Sequence, residues 1–394
     1  MLAIIGLSIN VNAQWNQQVS GTTNQLSGVY FLNKDTGYVA GGNTILKTEN
    51  GGSSWQMSDS GNFSVQGISF ANSTNGFAVG LDVSTDKSAI IKTTNGGISW
   101  TIIDFTTKPV LNDIYFVDSS NGYIVGSNGV AFKTTDGGNA WDTLNVGTSV
   151  ILSSVFFTSS LNGIIVGGTP TSSLILRTTD GGNSWTTITS TATDFLQGVY
   201  FPSPSIGYIV GWGGEILKTT DSGLTWNAQT SVANYGNLSV FFVDDTTGYV
   251  VGGTSTFAGI QKTTDGGQTW YAQTSSVNEG LIGVFFPTKT TGYCVGNGGT
   301  ILKTMNGGGT FVEEKQLFIS AINIYPNPAI NNITIVSSQE EAVIEITNIQ
   351  GQLIKTFTTT SNKTNIDVST FPSGVYVVAV KTKNGVSVSK VMKE

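Results

Sequence analysis

The chain repeats one phrase at a nearly fixed interval. Thr48-Glu49-Asn50-Gly51-Gly52-Ser53-Ser54-Trp55 returns with small changes in copies ending at Trp100, Trp141, Trp185, Trp226 and Trp270, and a seventh ends at Phe311. The steps between these aromatic residues are 45, 41, 44, 41, 44 and 41. Short apolar runs precede each turn, as in Gly198-Val199-Tyr200-Phe201, Gly207-Tyr208-Ile209-Val210-Gly211 and Glu215-Ile216-Leu217-Lys218-Thr219, and Leu224-Thr225-Trp226-Asn227 follows. Aromatic and β-branched residues bounded by Gly, Asn, Asp or Ser are the chemistry of strands and turns. No stretch of the repeats sustains a helical apolar period over three turns.

Four short strands at a period in the low forties predict an all-β fold, a seven-bladed β-propeller over residues 14–311. At the turns, Asn50, Asn95, Asp136, Asp180, Asp221, Asp265 and Asn306 are placed to accept bonds from nearby backbone amides, and the glycines to take positive φ. Trp55, Trp100, Trp141, Trp185, Trp226, Trp270 and Phe311 then pack between blades. Burying one indole is worth on the order of 4–6 kcal/mol as an upper estimate. Trp15-Asn16-Gln17-Gln18-Val19-Ser20 resembles Trp226-Asn227-Ala228-Gln229-Thr230-Ser231, so it reads as a fourth strand without its first three. It is expected to complete the seventh blade and cover its free edge.

The turn phrase resembles the Asp box, Ser-x-Asp-x-Gly-x-Thr-Trp, of sialidases and related propellers. The whole unit, with Val-x-Phe, Gly-Tyr-x-x-Gly and Lys-Thr-x-Asp-Gly-Gly-x-Thr-Trp, is similar to the photosystem II assembly and stability factor propellers over residues 26–311. The resemblance implies a propeller, which hosts many activities. That family uses basic surface residues on its propeller. Here residues 14–316 hold 12 basic and 20 acidic side chains, whereas the tail from 317 holds 6 and 5.

The 394 residues, 39% hydrophobic and 11% charged, suffice for a large core and a second domain. A net charge of −7 with no basic stretch argues against nucleic acid. Histidine is absent and there is one arginine, Arg177. Histidine-based triads and metal sites are therefore excluded, and so is the arginine cluster that a sialidase needs for its substrate carboxylate. No cofactor and no metal are expected. The single Cys294 stands where other copies carry small apolar residues and reads as buried. Leu2-Ala3-Ile4-Ile5-Gly6-Leu7 followed by Val11-Asn12-Ala13 reads as a signal peptide over 1–13, without its basic start, giving Gln14 as the mature first residue.

Residues 312–322 read as a linker, and 323–394 as a small immunoglobulin-like sandwich of alternating strands. Tyr325-Pro326-Asn327-Pro328, the Gly351 turn, Gly374-Val375-Tyr376 and the closing Lys390-Val391-Met392-Lys393 resemble the C-terminal sorting domain of the type IX secretion system of Bacteroidetes. That resemblance implies the secretion machinery as a partner, and a secreted or outer-membrane surface location.

Candidate ligand residues lie on the rim away from the Asp boxes, where the loops vary most. Loops between second and third strands are short in units 1, 3, 5 and 7 and long in units 2, 4 and 6, at Leu81–Ala89, Gly168–Ser173 and Gly253–Gly259. Trp212, out of phase with the repeat, replaces Gly41, Ser127 and Asn297 in the short turn that ends at Glu215. It is a candidate platform for a sugar ring or an interface anchor. Asp194, Phe195, Tyr235, Phe257 and Glu279 are expected on the same rim. Asp244-Asp245 and the Asp-box carboxylates read as turn residues. Lys47, Lys92, Lys133, Arg177, Lys218, Lys262 and Lys303 share one position of the third strand, where stems packed over a blade with heads in water are expected. The reading is a monomeric, exported, non-enzymatic propeller that binds a glycan or a protein. The alternatives are a glycoside hydrolase using rim carboxylates such as Asp194 and Glu279, or a scaffold for protein assembly.

Overall fold

The computed structural model describes residues 14–59, 61–104, 109–309, 322–336, 341–349, 352–382 and 385–394. The stretch read as a signal peptide, Phe311, the Gly351 turn and all of the expected linker except Ile322 lie outside the described residues. The chain divides into two compact units between Gly309 and Thr310.

Among the described residues, seven four-stranded antiparallel sheets make up the first unit. In the fifth, Leu196–Tyr200, Gly207–Gly211, Ile216–Thr219 and Asn227–Ala228 pair in chain order. The seventh joins Leu281–Phe285, Gly292–Gly296 and Ile301–Thr304 to the N-terminal strand Asn16–Gln18, which pairs antiparallel with Ile301–Lys303. First strands of successive sheets pack together, and Leu281–Phe285 packs back on Gly28–Phe31, so the series closes on itself.

An aromatic clasp joins each sheet to the one before it, with Ile164 in place of one ring between the fourth and fifth. Phe31 stacks on Tyr293 at 4.2 Å, and Trp55 meets both rings edge-on at 6.1 and 6.3 Å. Edge-to-face contacts of this kind add about 0.5–1.5 kcal/mol to the area buried. Glycine is required beneath the clasp, because a Cβ on Gly37 would lie 2.4 Å from the Phe31 ring. Fully buried Trp15 takes the same place in the last clasp, edge-on to Phe286 and Tyr249 at 5.7 and 6.1 Å. It stands against Gly308 as Trp270 stands against Gly267.

The long loops expected in the second, fourth and sixth sheets are mostly ladder. Gly76–Asp82 pairs with Lys87–Thr93, Gly163–Thr169 with Ser172–Thr178, and Gly248–Thr254 with Phe257–Thr263. Extra residues on both strands extend the hairpin, because continued pairing satisfies backbone groups that a loop would leave to water. In the third, fifth and seventh sheets the chain reverses through one 3-10 turn, at Ser127–Gly129, Trp212–Gly214 and Asn297–Gly299.

The second unit has two antiparallel sheets. One orders Asn323–Tyr325, Asn332–Val336 and Lys363–Asp367; the other orders Leu353–Thr359, Ala342–Asn348, Gly374–Thr382 and Gly385–Lys393. Ile333, Ile335, Ile344, Ile346, Ile366, Val378 and Val391 share its core. Asn327 donates to the Lys390 carbonyl at 3.0 Å and accepts from the Met392 amide at 2.9 Å. The Tyr-Pro-Asn-Pro phrase thus meets the backbone of the terminal Lys-Val-x-Lys phrase through the Asn327 side chain. Buried Tyr376 donates to the Pro372 carbonyl at 2.8 Å, and Lys390 is exposed.

Candidate functional site

The first strands surround a cavity of about 420 Å³. Two or three successive positions of each strand line it. One layer is Ser27, Gln66, Asn112, Ser153, Gln197, Leu238 and Ile282; the next is Gly28, Gly67, Asp113, Ser154, Gly198, Ser239 and Gly283; the third is Val29, Ile68, Val199, Val240 and Val284. Ser127, Ile151 and Phe195 edge its mouth. Toward the Asp-box side the same strands carry an aromatic collar. Tyr115, Phe156, Tyr200, Phe241, Phe285 and Tyr30 follow one another with centroids 4.6–5.5 Å apart. The space is therefore a pit with a largely polar wall and an aliphatic floor, and the aromatic collar lies beyond that floor.

Among the described residues, Asp113 is the one charged residue in its lining. Its carboxylate accepts from the Ile114 amide at 2.8 Å, and across the sheet boundary from the Ser154 hydroxyl at 2.8 Å and the Val155 amide at 3.0 Å. Burial pushes its carboxyl up to about 6 against these bonds. Asp113 was not among the residues expected to matter. Alignment of the seven first strands carries the signal, since the matched positions hold only Gly or Ser.

The structure gathers most of the predicted rim residues on the fifth and sixth sheets. Trp212 is 40% exposed and meets buried Phe195 at 5.5 Å and 65°. Its amide donates to the Phe195 carbonyl at 2.9 Å, which sets the turn. Phe195 thus belongs to both the pit mouth and the Trp212 contact. Asp194 reaches the Gly213 turn, where an added Cβ would lie 2.7 Å from its carboxylate. Burial raises the Glu215 carboxyl, and the nearby Asp194 charge adds to the rise. Tyr235 and exposed Phe257 pair at 5.2 Å. Glu279 is exposed and lies apart from these, against the Gly298 turn of the seventh sheet.

The Asp-box carboxylates are occupied by their own turns. Asp180 accepts from the Ser184 hydroxyl and amide at 2.6 and 2.9 Å and from the Thr178 hydroxyl at 2.8 Å. These bonds hold its carboxyl down at about 2, and the same set at Thr225 and Thr219 does so for Asp221. Asn50, Asn95, Asp136, Asp265 and Asn306 repeat the threonine contact of this pattern. Asp244 accepts from the Thr246 and Thr247 amides at 3.1 and 2.8 Å, closing its turn.

The third-strand cations depart from expectation: most heads are not left to water. Lys133, Lys218, Lys262 and Lys303 donate to the carbonyls of Gly181, Gly266, Gly307 and Gly51 in the next sheet at 2.6–2.7 Å. The hydroxyls of Tyr123, Tyr208, Tyr249 and Tyr293 donate to the same four carbonyls at 2.7–3.2 Å. Each ammonium also lies 5.6–5.8 Å from the centroid of its tyrosine ring. Lys92 reaches Asn139 and Arg177 reaches the Ser222 carbonyl in the same way. Lys47 instead pairs with Glu49 at 2.7 Å. The glycine turn presents a carbonyl within reach of the stem, and the ring beneath favours a cation.

Residues 323–394 match the model of the secretion system C-terminal sorting domain, which marks the chain for type IX export to the cell surface or beyond it. No curated protein matches the sequence. Among solved structures, YCF48 bound to D1 peptide is 20% identical, with 74% of this chain and 95% of that one covered at a TM-score of 0.61. YCF48 from Cyanidioschyzon merolae is 20% identical, with 74% and 98% covered at 0.60. PorZ, a surface component of the type IX secretion system of Porphyromonas gingivalis, is 12% identical, with 93% of this chain and 56% of that one covered at 0.52. At these identities the likenesses establish the propeller fold alone. Residues 7–109, 96–193 and 228–305, together more than half of the chain, match the model of the photosynthesis system II assembly factor YCF48, and the chain belongs to that family.

Proposed function

We propose that this chain is an exported, non-catalytic binding protein. A closed, seven-bladed propeller holds a polypeptide segment on the Trp212 rim, and an immunoglobulin-like tail serves as its export address. The observation that carries this reading is Trp212. It is a large, partly exposed indole fixed by Phe195 at the mouth of a polar pit. A rigid aromatic anchor beside a concave surface is the usual centre of a protein interface. A family relative solved with D1 peptide bound supports a polypeptide ligand. Binding without catalysis is supported by the carboxylates. The Asp-box carboxylates are spent on their turns, and Asp194 and Glu279 lie against separate turns, those at Gly213 and Gly298.

One observation favours a glycan instead. Asp194 and Glu215 lie beside the indole, and an aromatic face with carboxylate acceptors suits a sugar ring. Affinity capture from the native envelope, run beside a glycan array and a reducing-sugar release assay, separates these readings. A stoichiometric protein partner lost in Trp212→Ala is the expected result. Undiminished capture by that variant refutes the rim, and sugar release refutes the non-catalytic reading.

A further inference from the structure

We propose that the axial pit is a socket for a cationic side chain, a lysine or arginine of the polypeptide lying across the rim, with Asp113 as its pairing carboxylate. This deepens the rim reading by naming what the partner must carry.

Asp113 is not needed for the fold in its charged form. The matched positions of the other six sheets hold Gly28, Gly67, Ser154, Gly198, Ser239 and Gly283, so the strand is built there without a carboxylate. A serine could bridge to the next sheet without burying a charge, and burying one is costly unless it is paired. The three donors facing Asp113 leave part of its acceptor capacity open, since a carboxylate offers about four lone-pair sites. The remaining lining polar side chains are neutral, and among the described residues no basic side chain lines the cavity.

The surroundings favour the same sign. Six third-strand cations are held over the next sheet's glycine turn, on the side opposite the mouth. Among the described residues, the mouth-side loops carry Asp82, Asp86, Asp194, Glu215 and Glu279, against Lys87. An acidic mouth over a low-dielectric pit concentrates cations. At about 30 Å³ per water, the 420 Å³ cavity has room for an extended side chain and part of its hydration.

The test titrates the full chain calorimetrically with tetralysine and with the same peptide acetylated at every Nε. Asp113→Ser places the residue found at Ser154 and Ser239, and Asp113→Asn keeps the shape; thermal melts verify that both variants fold. The expected result is tetralysine binding that falls at least tenfold in both variants and with the acetylated peptide. Equal binding by the parent and the variants, equal binding of the two peptides, or no tetralysine binding overturns the socket. Calcium or magnesium displacing tetralysine at equimolar concentration also overturns it, assigning the carboxylate to an inorganic cation. Native-partner capture separates this from the rim reading. If both Asp113 variants retain capture while Trp212→Ala loses it, the socket fails and the rim stands. If Trp212→Ala retains capture, the rim fails, whatever tetralysine does.

Discussion

Replacing Trp15 with alanine should loosen the whole ring, although the residue lies at the edge of the described chain. Trp15 is fully buried and edge-on to Phe286 and Tyr249, and it anchors the strand Asn16–Gln18 on Ile301–Lys303. Its carbonyl also accepts from the Ser276 amide at 3.2 Å. Truncating a buried aromatic residue costs about 3–5 kcal/mol. For a unit of this size the unfolding entropy near Tm is on the order of 0.6 kcal/mol/K, so Tm should fall by roughly 5–8 °C. Trp212→Ala is the matched control, since it removes a partly exposed indole and should cost about 1 kcal/mol or less. Trp15→Phe sharpens the comparison. The Trp15 indole N–H is buried without a partner among the described residues, so the swap loses area but also removes an unsatisfied donor. Its net cost should stay near 1 kcal/mol. Differential scanning calorimetry of the four proteins decides the matter. Equal shifts for Trp15→Ala and Trp212→Ala would mean that the N-terminal strand does not close the ring.

Substitutions at two other positions test an inter-sheet contact and a turn. Lys218→Met keeps the stem but removes the charge-assisted bond to the Gly266 carbonyl and the cation over Tyr208, and should cost about 1.5–3 kcal/mol in chemical denaturation; a neutral outcome would return the lysine head to solvent. The Asp180 carboxyl is depressed to about 2 when folded, so its contribution is fully present above the unfolded value near 4 and is lost as pH falls toward 2. Asp180→Asn, the residue found at Asn50 and Asn95, should therefore flatten the acid limb of a Tm–pH profile without lowering Tm at pH 7 as much as Asp180→Ala does.

Much of this molecule was legible in the sequence because its fold is written in local, repeated chemistry. The glycine turns, the strands beside them and the Trp15 strand each follow from a few neighbouring residues compared with their own copies. The Trp212 position stood out for the same reason, as a departure from phase. Length alone misled where it was read as loop: residues 81–89 continue a ladder in part, because pairing depends on the opposite strand and not on local composition. The lysines were misplaced because their acceptor, a glycine carbonyl, belongs to the next repeat about 48 residues away. Asp113 escaped notice because a single substitution in a strand becomes a charge in a pit only when seven first strands converge. Periodicity determined the units and their turn tryptophans, and the phrases of the tail pointed to export, since each is encoded within one repeat or one segment. Only the closed ring decided which side chains share an interior, because its axis is made by residues from every sheet and by none alone.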